Sequence, residues 1–219
     1  MPAPNETQLT TFQGWTLRVR VAQSQPARLL LLVHGWSGDE DSMWVFVRRF
    51  PASCWMVAPR APYATQPSGY SWRVLHGRSG RLPDLEDLRT AAADLVALAE
   101  TYAVANGIEG REFDAIGFSQ GAALVNAVAL LHPARVRRLG ILAGFMPASA
   151  EALIQNRPLE GKSFFVAHGT QDERVSIGEA RRSIALLEQA GARVTFCEDD
   201  VGHKVSANCL RALEAFWLG

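Results

Sequence analysis

Cysteine is scarce in this chain, with only Cys54, Cys197 and Cys209 among 219 residues. An odd, sparse set of cysteines does not predict a disulfide framework. The histidines are scattered, and none pairs with another at a spacing suited to zinc. A glycine-rich phosphate loop followed by lysine is missing as well. We therefore expect no metal, no cofactor and a reducing, cytoplasmic setting.

An excess of charge of either sign is also absent, because 22 basic residues balance 22 acidic ones. Without a basic excess, nucleic acids and anionic membranes are not expected partners. The longest apolar run, residues 29–33, is far too short to span a bilayer, and the N-terminus lacks the features of a secretory signal. Apolar residues make up 48% of the chain, which predicts a globular protein with a substantial core and no stable membrane anchor.

Strand-like and helix-like segments alternate along most of the chain. Apolar runs rich in branched residues predict strands, and apolar residues three and four apart predict helices. Their alternation predicts an α/β fold, in which helices cover both faces of a mostly parallel sheet. The predicted strands are 15–21, 29–33, 54–58, 113–117, 139–143, 163–167 and 193–196, and the predicted helices are 84–105, 121–131, 177–189 and 206–217.

Three segments carry more specific signals. Residues 15–21 alternate apolar and charged side chains, which predicts an edge strand, whereas the continuous apolar run 29–33 predicts a central strand buried on both faces. Residues 59–83 are rich in proline, glycine, serine and arginine and predict a long loop. Without a repeat or linker, residues 1–219 are expected to form one domain, with residues 1–10 as a flexible lead.

The most informative motif is Gly117-Phe118-Ser119-Gln120-Gly121, which reads G-x-S-x-G between a predicted strand and a predicted helix. In that context the motif predicts a sharp, strained turn that exposes the serine hydroxyl above the sheet. Side chains in place of the glycines would collide. Ser119 is therefore the candidate nucleophile, and the amide of Gln120, at a helix N-terminus, is a candidate donor to an oxyanion.

A serine hydroxyl needs a base and an orienting acid, which in proteins with this turn follow it along the chain in the order acid, then histidine. His203 lies on a loop after the last predicted strand and is the candidate base. Asp172 lies on the turn after the preceding strand and is the candidate acid, bonded to Nδ1 of the histidine.

Other residues could in principle take these roles. His132 is interpreted as a helix-end residue, and no suitable acid precedes His168. Asp199 and Asp200 compete for the acid role, but they stand close before the histidine and are interpreted as solvated.

A second oxyanion donor is predicted in the loop after the central strand, which begins His34-Gly35-Trp36-Ser37-Gly38. The glycines allow the main chain to approach a substrate closely. The backbone amide of Trp36 is the candidate donor, and His34 is expected to brace the loop by hydrogen bonds.

Together these motifs resemble the phospholipase/carboxylesterase group of α/β-hydrolases, which includes bacterial carboxylesterases and acyl-protein thioesterases. The resemblance implies an α/β-hydrolase fold without a separate lid domain, and a triad of Ser119, Asp172 and His203. It extends over about residues 29–217 and rests on His34-Gly35, Gly38-Asp39, Ala58-Pro59-Arg60-Ala61-Pro62, Ser71-Trp72, Gly117–Gly121, Gly144-Phe145-Met146-Pro147, His168–Asp172 and Gly202-His203.

Two positions depart from the family pattern. Trp36 stands where thioesterase-like members usually carry leucine, and Arg73 stands where an acidic or aromatic residue is common. Bulky side chains could narrow or redirect the acyl pocket, whose expected lining is Trp36, Tyr70, Trp72, Phe145 and Met146.

The expected activity is hydrolysis of carboxylic esters with short to medium acyl groups, through an acyl-enzyme. The expected partner is a small-molecule ester or thioester, and a homodimer is possible. Acyl-protein thioesterase and lysophospholipase activities are alternatives, and so is a catalytically silent ligand-binding protein. A dienelactone-hydrolase-like enzyme would carry cysteine in place of Ser119.

Overall fold

Eight strands form one sheet in the computed structural model, which describes residues 6–74 and 82–219. The strands of the chain are β1 (Gln8–Phe12), β2 (Trp15–Arg20), β3 (Arg28–Val33), β4 (Cys54–Pro59), β5 (Tyr63–Ala64), β6 (Tyr70–Ser71), β7 (Phe113–Phe118), β8 (Val136–Leu142), β9 (Ser163–Gly169) and β10 (Arg193–Asp199). The sheet order is β1-β2-β4-β3-β7-β8-β9-β10, and β5 and β6 form a separate two-stranded ribbon. Within the large sheet, each neighbouring pair in the series β4-β3-β7-β8-β9-β10 is parallel, whereas β1–β2 and β2–β4 are antiparallel.

Helices cover both faces of the sheet, as predicted. They are α1 (Leu85–Ala105), α2 (Gln120–Leu131), α3 (Glu151–Ile154), α4 (Ile177–Gln189) and α5 (Ala207–Leu218). Buried residues of α1, α2 and α4 pack on one face, and those of α5 pack on the other. None of the helices in the described ranges is long and apolar enough to cross a membrane.

Successive side chains of β3 serve two separate cores. Leu29, Leu31 and Val33 belong to the cluster under α1 and α2, and Leu30 and Leu32 to the cluster under α5. Because side chains alternate across a strand, a strand buried on both faces needs an unbroken apolar run. The prediction of a central strand is confirmed, since β3 lies between β4 and β7.

The prediction of an edge strand at residues 15–21 is wrong, because β1 pairs outside β2 and forms the edge. Residues 8–10, expected in a flexible lead, belong to β1, whereas residues 1–5 lie outside the described residues. The hairpin turn consists of Gln13 and Gly14, with φ of +46° and +84°. Two left-handed residues match the twist of a tight hairpin. Glutamine is uncommon at such a position, so the turn had no clear sequence signal.

The expected absence of disulfides is also wrong, since Cys197 and Cys209 are bonded, with their Cα atoms 5.6 Å apart. Cys197 lies in β10 and Cys209 in the first turn of α5, and the packing of helix on sheet brings them together. A separation of 12 residues gives no signal of this contact. Cys54 is a free, buried thiol, and burial raises its pKa to about 11.

The disulfide is expected to stabilise the protein measurably. It closes a loop over residues 197–209, and a loop of this length contributes about 3 kcal/mol to the free energy of unfolding. A dithiol reductant should therefore lower the stability of the wild type in urea denaturation by that amount. It should leave the C197A/C209A variant unchanged. Equal effects of the reductant on both proteins would contradict a native disulfide.

Candidate active site

A sharp turn between β7 and α2 carries Ser119. The residue has φ of +53° and ψ of −116°, a conformation that residues other than glycine rarely adopt. Its amide donates a hydrogen bond of 2.9 Å to the carbonyl of Leu142, at the end of β8. A strained backbone conformation persists only where the surrounding structure enforces it, and such residues cluster at functional sites. The turn therefore presents the serine at the carboxyl end of the parallel strands.

The two glycines of the turn are required by different contacts. A Cβ on Gly117 would collide with the backbone of Gly121. A Cβ on Gly121 would collide with the carbonyl oxygens of Val33 and His34. The first glycine thus permits the turn itself, and the second lets α2 lie against the end of β3.

Ser119, His203 and Asp172 form one hydrogen-bonded chain. Nε2 of His203 lies 2.9 Å from Oγ of Ser119, and Nδ1 lies 2.7 Å from Oδ2 of Asp172. The carboxylate is fully buried, and the imidazole is 12% exposed. Nε2 is thus close enough to accept a proton from the serine hydroxyl, and the far side of the ring is held by a carboxylate that water does not reach.

Asp172 is held ionised by the turn on which it lies. Its Oδ1 accepts hydrogen bonds of 2.9 Å from the amides of Arg174 and Val175, and its Oδ2 accepts from His203. Burial by itself would raise the pKa of this carboxyl, but the donors outweigh it and the pKa is lowered. The carboxylate can therefore accept Nδ1–H of the histidine and fix the tautomer that leaves Nε2 free for the serine.

The loop after β9 and the loop after β10 are joined by their backbones. The amide of Thr170 donates to the carbonyl of Asp199 at 2.9 Å, and the amide of Gln171 donates to that of Val201 at 3.1 Å. A Cβ on Gly169 would collide with the carbonyl oxygen of Val201. The acid and the histidine therefore come from loops in direct contact, although they are 31 residues apart in sequence.

The competing candidates have other contacts. His168 is buried, and its Nε2 donates to the carbonyl of Val175 at 2.8 Å, which helps to shape the acid's turn. His132 ends α2, as interpreted from the sequence. Asp200 accepts from the Thr170 hydroxyl at 3.2 Å, and the carboxylate of Asp199 accepts from the amide of Asp200. None of these contacts involves the histidine that faces the serine.

The loop after β3 is braced by His34, as expected. Nδ1–H donates to the carbonyl of Gly35 at 2.7 Å, and Nε2 accepts from the amide of Ala61 at 3.1 Å. Burial lowers the pKa of His34, which keeps the ring neutral, as both bonds require. A Cβ on Gly35 would lie 3.3 Å from that of Ser119, so this loop lies directly against the serine.

Two backbone amides beside the serine have no hydrogen-bond partner among the described residues, those of Trp36 and Gln120. Gln120 is the first residue of α2, and the first backbone amides of a helix have no hydrogen-bond acceptor within the helix. The side chain of Gln120 is occupied separately, since its Oε1 accepts from the amide of Trp72 at 3.1 Å. Both backbone donors thus remain available to a ligand.

A second brace explains the motif at residues 58–62. The guanidinium of Arg60 donates to both carboxylate oxygens of Glu40, at 2.7 and 2.6 Å, and lies over the ring of Tyr70. The carbonyl of Tyr70 accepts from the amide of Ser37 at 3.0 Å. Hydrogen bonding from Arg60 lowers the pKa of Glu40, so the pair stays charged. The loop after β3 is therefore held from two sides.

A cavity of about 950 Å³ opens over Ser119. Its wall is mostly apolar, and two arginines contribute to it. The lining residues are Gly35, Trp36, Ser37, Gly38, Ser42, Met43, Phe46, Arg73, Leu82, Pro83, Phe118, Ser119, Gln120, Phe145, Arg174, Val175 and His203.

Of the five residues expected to line this cavity, Trp36 and Phe145 do so, and the other three do not. Trp72 is buried, and its Nε1 donates to the carbonyl of His34 at 2.8 Å. Met146 is buried, and its amide donates to the hydroxyl of Ser183. Tyr70 packs against the arginine of the brace. Aromatic character alone does not distinguish a wall residue from a core residue.

The sequence interpretation missed several wall residues, namely Met43, Phe46, Leu82, Phe118, Arg174 and Val175. A signal was available for two of them. Phe118 precedes the nucleophile candidate within the motif, and Arg174 follows the acid candidate by two residues.

Comparison with known proteins agrees with this architecture. A sequence model of the phospholipase/carboxylesterase family matches residues 16–217. A probable carboxylesterase of Arabidopsis thaliana, SOBER1-like, is 27% identical over 71% of this chain and 59% of its own length, so the chain spans about three fifths of that relative. Acyl-protein thioesterase 1 of Eremothecium gossypii is 29% identical over 92% of each chain.

Solved structures show the same fold. A carboxylesterase from Mesorhizobium loti superposes with a TM-score of 0.83, at 22% identity over 97% of this chain and 99% of its own. The family match covers most of the chain, and the sheet order and helix placement are those expected of the fold. The chain belongs to the phospholipase/carboxylesterase family and has the α/β-hydrolase fold.

Proposed function

We propose that this protein is a serine hydrolase of carboxylic esters, in which Ser119 is the nucleophile, His203 the general base and Asp172 the orienting acid. The observation that carries the proposal is the hydrogen-bonded chain from the serine hydroxyl through the imidazole to a buried, ionised carboxylate. Few arrangements other than nucleophilic catalysis require these groups in this order. Membership of the family adds independent support.

In the first half-reaction, Nε2 of His203 accepts the proton of Ser119 as Oγ attacks the acyl carbonyl. Asp172 stabilises the imidazolium that forms and stays ionised itself. The tetrahedral intermediate then collapses, the bond to the leaving oxygen breaks, and His203 protonates the departing alcohol.

In the second half-reaction, water replaces the alcohol. His203 takes a proton from the water, which attacks the acyl-enzyme, and the carboxylic acid leaves as the serine hydroxyl is restored. The amides of Trp36 and Gln120 are proposed as donors to the oxyanion in both halves. Their lack of other partners supports this role, and the N-terminus of α2 favours negative charge beside Gln120.

We propose short to medium acyl groups as substrates, because Trp36, Phe46 and Phe145 contribute bulky side chains to the wall of the cavity over the serine. A thioester is the second candidate. It is favoured by the alignment with an acyl-protein thioesterase over almost the whole chain. The same nucleophile and base serve either substrate, and only the leaving group differs.

A fluorophosphonate probe tests the assignment directly. The native protein should gain one equivalent of label on Ser119, because only an activated serine attacks the probe rapidly. H203A should be labelled about 10²-fold or more slowly, since the general base is gone. S42A, which removes another hydroxyl of the same cavity, should be labelled like the wild type. Label on a different residue would reject the nucleophile, and no label would favour a silent ligand-binding protein.

A further inference from the structure

The cavity over Ser119 has an unequal distribution of charge. Its described lining includes Arg73 and Arg174 but no aspartate or glutamate. Because the whole chain has a formal net charge of zero, the excess is local to the cavity and is not a general property of the surface.

The backbone of Arg73 is tied to the start of α2. The amide of the preceding residue, Trp72, donates to Oε1 of Gln120 at 3.1 Å. The hydroxyl of Ser71 donates to the carbonyl of Arg73 at 2.9 Å. Arg73 therefore stands at a defined position on the side of the cavity where Gln120 lies.

The guanidinium of Arg73 is only partly satisfied by its described partners. Its side chain is 15% exposed, and Nη1 forms an ion pair with the carboxylate of Asp87 at 3.6 Å, a distance too long for a hydrogen bond. Asp87 is engaged in capping α1, where its Oδ2 accepts from the amide of Asp84. Nε of Arg73 is buried and has no hydrogen-bond partner among the described residues. A cation in this state gains from an anionic ligand, because unpaired buried donors are costly.

Arg174 lines the same cavity and stands two residues after Asp172, to whose carboxylate its amide donates. Its amide is fixed by the hydrogen bond to Asp172, whereas its side chain is exposed and lines the cavity. No hydrogen bond or ion pair of this side chain occurs among residues 6–74 and 82–219. A second cation thus faces the same space from a rigid turn.

We propose that Arg73 and Arg174 make this site selective for esters that carry a free carboxylate in addition to the ester bond. The inference rests on the proposed function, since it names the substrate class of the same serine. The planar guanidinium of Arg73 can donate two parallel hydrogen bonds to a carboxylate in a largely water-excluded place. The exposed Arg174 adds attraction that salt screens.

Two pairs of substrates separate the possible positions of the carboxylate. On the acyl side, mono-p-nitrophenyl adipate is compared with p-nitrophenyl hexanoate, which replaces the carboxylate by a methyl group. On the leaving-group side, 4-acetoxybenzoate is compared with 4-acetoxybenzamide. For each pair the measured quantity is the ratio of kcat/KM for the charged ester to kcat/KM for the neutral ester. Comparison of this ratio between variants cancels the intrinsic reactivity of the esters.

In at least one pair, R73Q should lower the ratio by about ten-fold, the size of a hydrogen bond to a charged group. R174Q should lower the ratio by about three-fold, because the side chain of Arg174 is exposed and an exposed ion pair contributes little. The effect of R174Q should be present at about 0.01 M salt and lost at about 1 M salt, because the Debye length falls to a few ångströms as the salt concentration rises. R73K should lower the ratio less than R73Q does, since lysine keeps the positive charge but lacks the two parallel donors of the guanidinium. R89Q, at an exposed arginine of α1 that pairs with Glu86, is the matched control and should leave the ratio unchanged.

The outcomes are decisive in both directions. A ratio that R73Q and R174Q leave unchanged in both pairs would overturn the inference, while hydrolysis of the neutral esters would still support the proposed function. Failure of the wild type to hydrolyse any of the four esters would instead count against the proposed function. If R73Q does not fold, R174Q and R73K still test the inference. R174Q replaces an exposed side chain, and R73K keeps the positive charge, so both variants are expected to fold.

Discussion

Replacement of Ser119 by alanine should lower kcat/KM for a short p-nitrophenyl ester by about 10⁵-fold, to the level of residual binding and oxyanion stabilisation. The substitution removes the atom that forms the acyl-enzyme in the proposed mechanism, and it takes nothing from the core. Nε2 of His203 then has no hydroxyl to activate. The measurement is steady-state release of p-nitrophenol, with circular dichroism to show that the fold is intact.

Two controls sharpen this prediction. S42A removes a hydroxyl that lines the same cavity but bonds to Asp39, and it should stay within about ten-fold of the wild type. The double variant S119A/H203A should be no slower than S119A alone, because residues that act as a unit are not additive. Retention of a substantial part of the wild-type rate by S119A, after removal of contaminating esterase, would reject the nucleophile.

Replacement of Asp172 by asparagine should lower kcat by about 10⁴-fold with little effect on substrate binding. The hydrogen bonds of the acid impose this result. Its Oδ1 accepts from two backbone amides, those of Arg174 and Val175, so the amide oxygen of asparagine must occupy that position. The NH₂ group is then turned toward Nδ1 of His203, which must become the acceptor. The ring proton moves to Nε2, where it blocks removal of the serine proton.

Asp200 provides the matched comparison for this variant. It is an exposed carboxylate on the same loop as the histidine, and it accepts only from the hydroxyl of Thr170 among its described hydrogen bonds. D200N should therefore stay within a few-fold of the wild type. A D172N protein as active as D200N would show that the acid does not set the histidine tautomer. In that case another group, such as His168 at 3.5 Å from the carboxylate, would deserve the same test.

The order of strands and helices was predictable because it depends on local patterns. Residues 29–33 read as a doubly buried strand, and β3 lies at the centre of the sheet. α1 begins after Asp84 and ends at Ala105, close to the predicted bounds, because an acidic cap and an apolar stripe mark it. The hairpin at Gln13 escaped prediction, since its left-handed turn lacks the usual asparagine or aspartate.

The selection of Ser119, Asp172 and His203 as candidates also came from the chain order of motifs, without knowledge of distances. That reasoning works because the carboxyl ends of parallel strands meet at one edge of a sheet, so that loops distant in sequence become neighbours. The braces at His34 and Arg60 could not be specified in the same way. Their partners, Ala61 and Glu40, are identified only by contacts between separate loops.

By itself, the amino-acid sequence determined the α/β alternation, the strained turn at Ser119 and the ordered set of candidate side chains, because these follow from periodicity and from the backbone freedom of glycine. Only the tertiary structure decided that Cys197 meets Cys209, that Trp72 and Met146 are buried, and that two arginines face one cavity. Those features depend on which side chains are brought together from distant parts of the chain. No local pattern records that juxtaposition, since packing is settled by the whole fold at once.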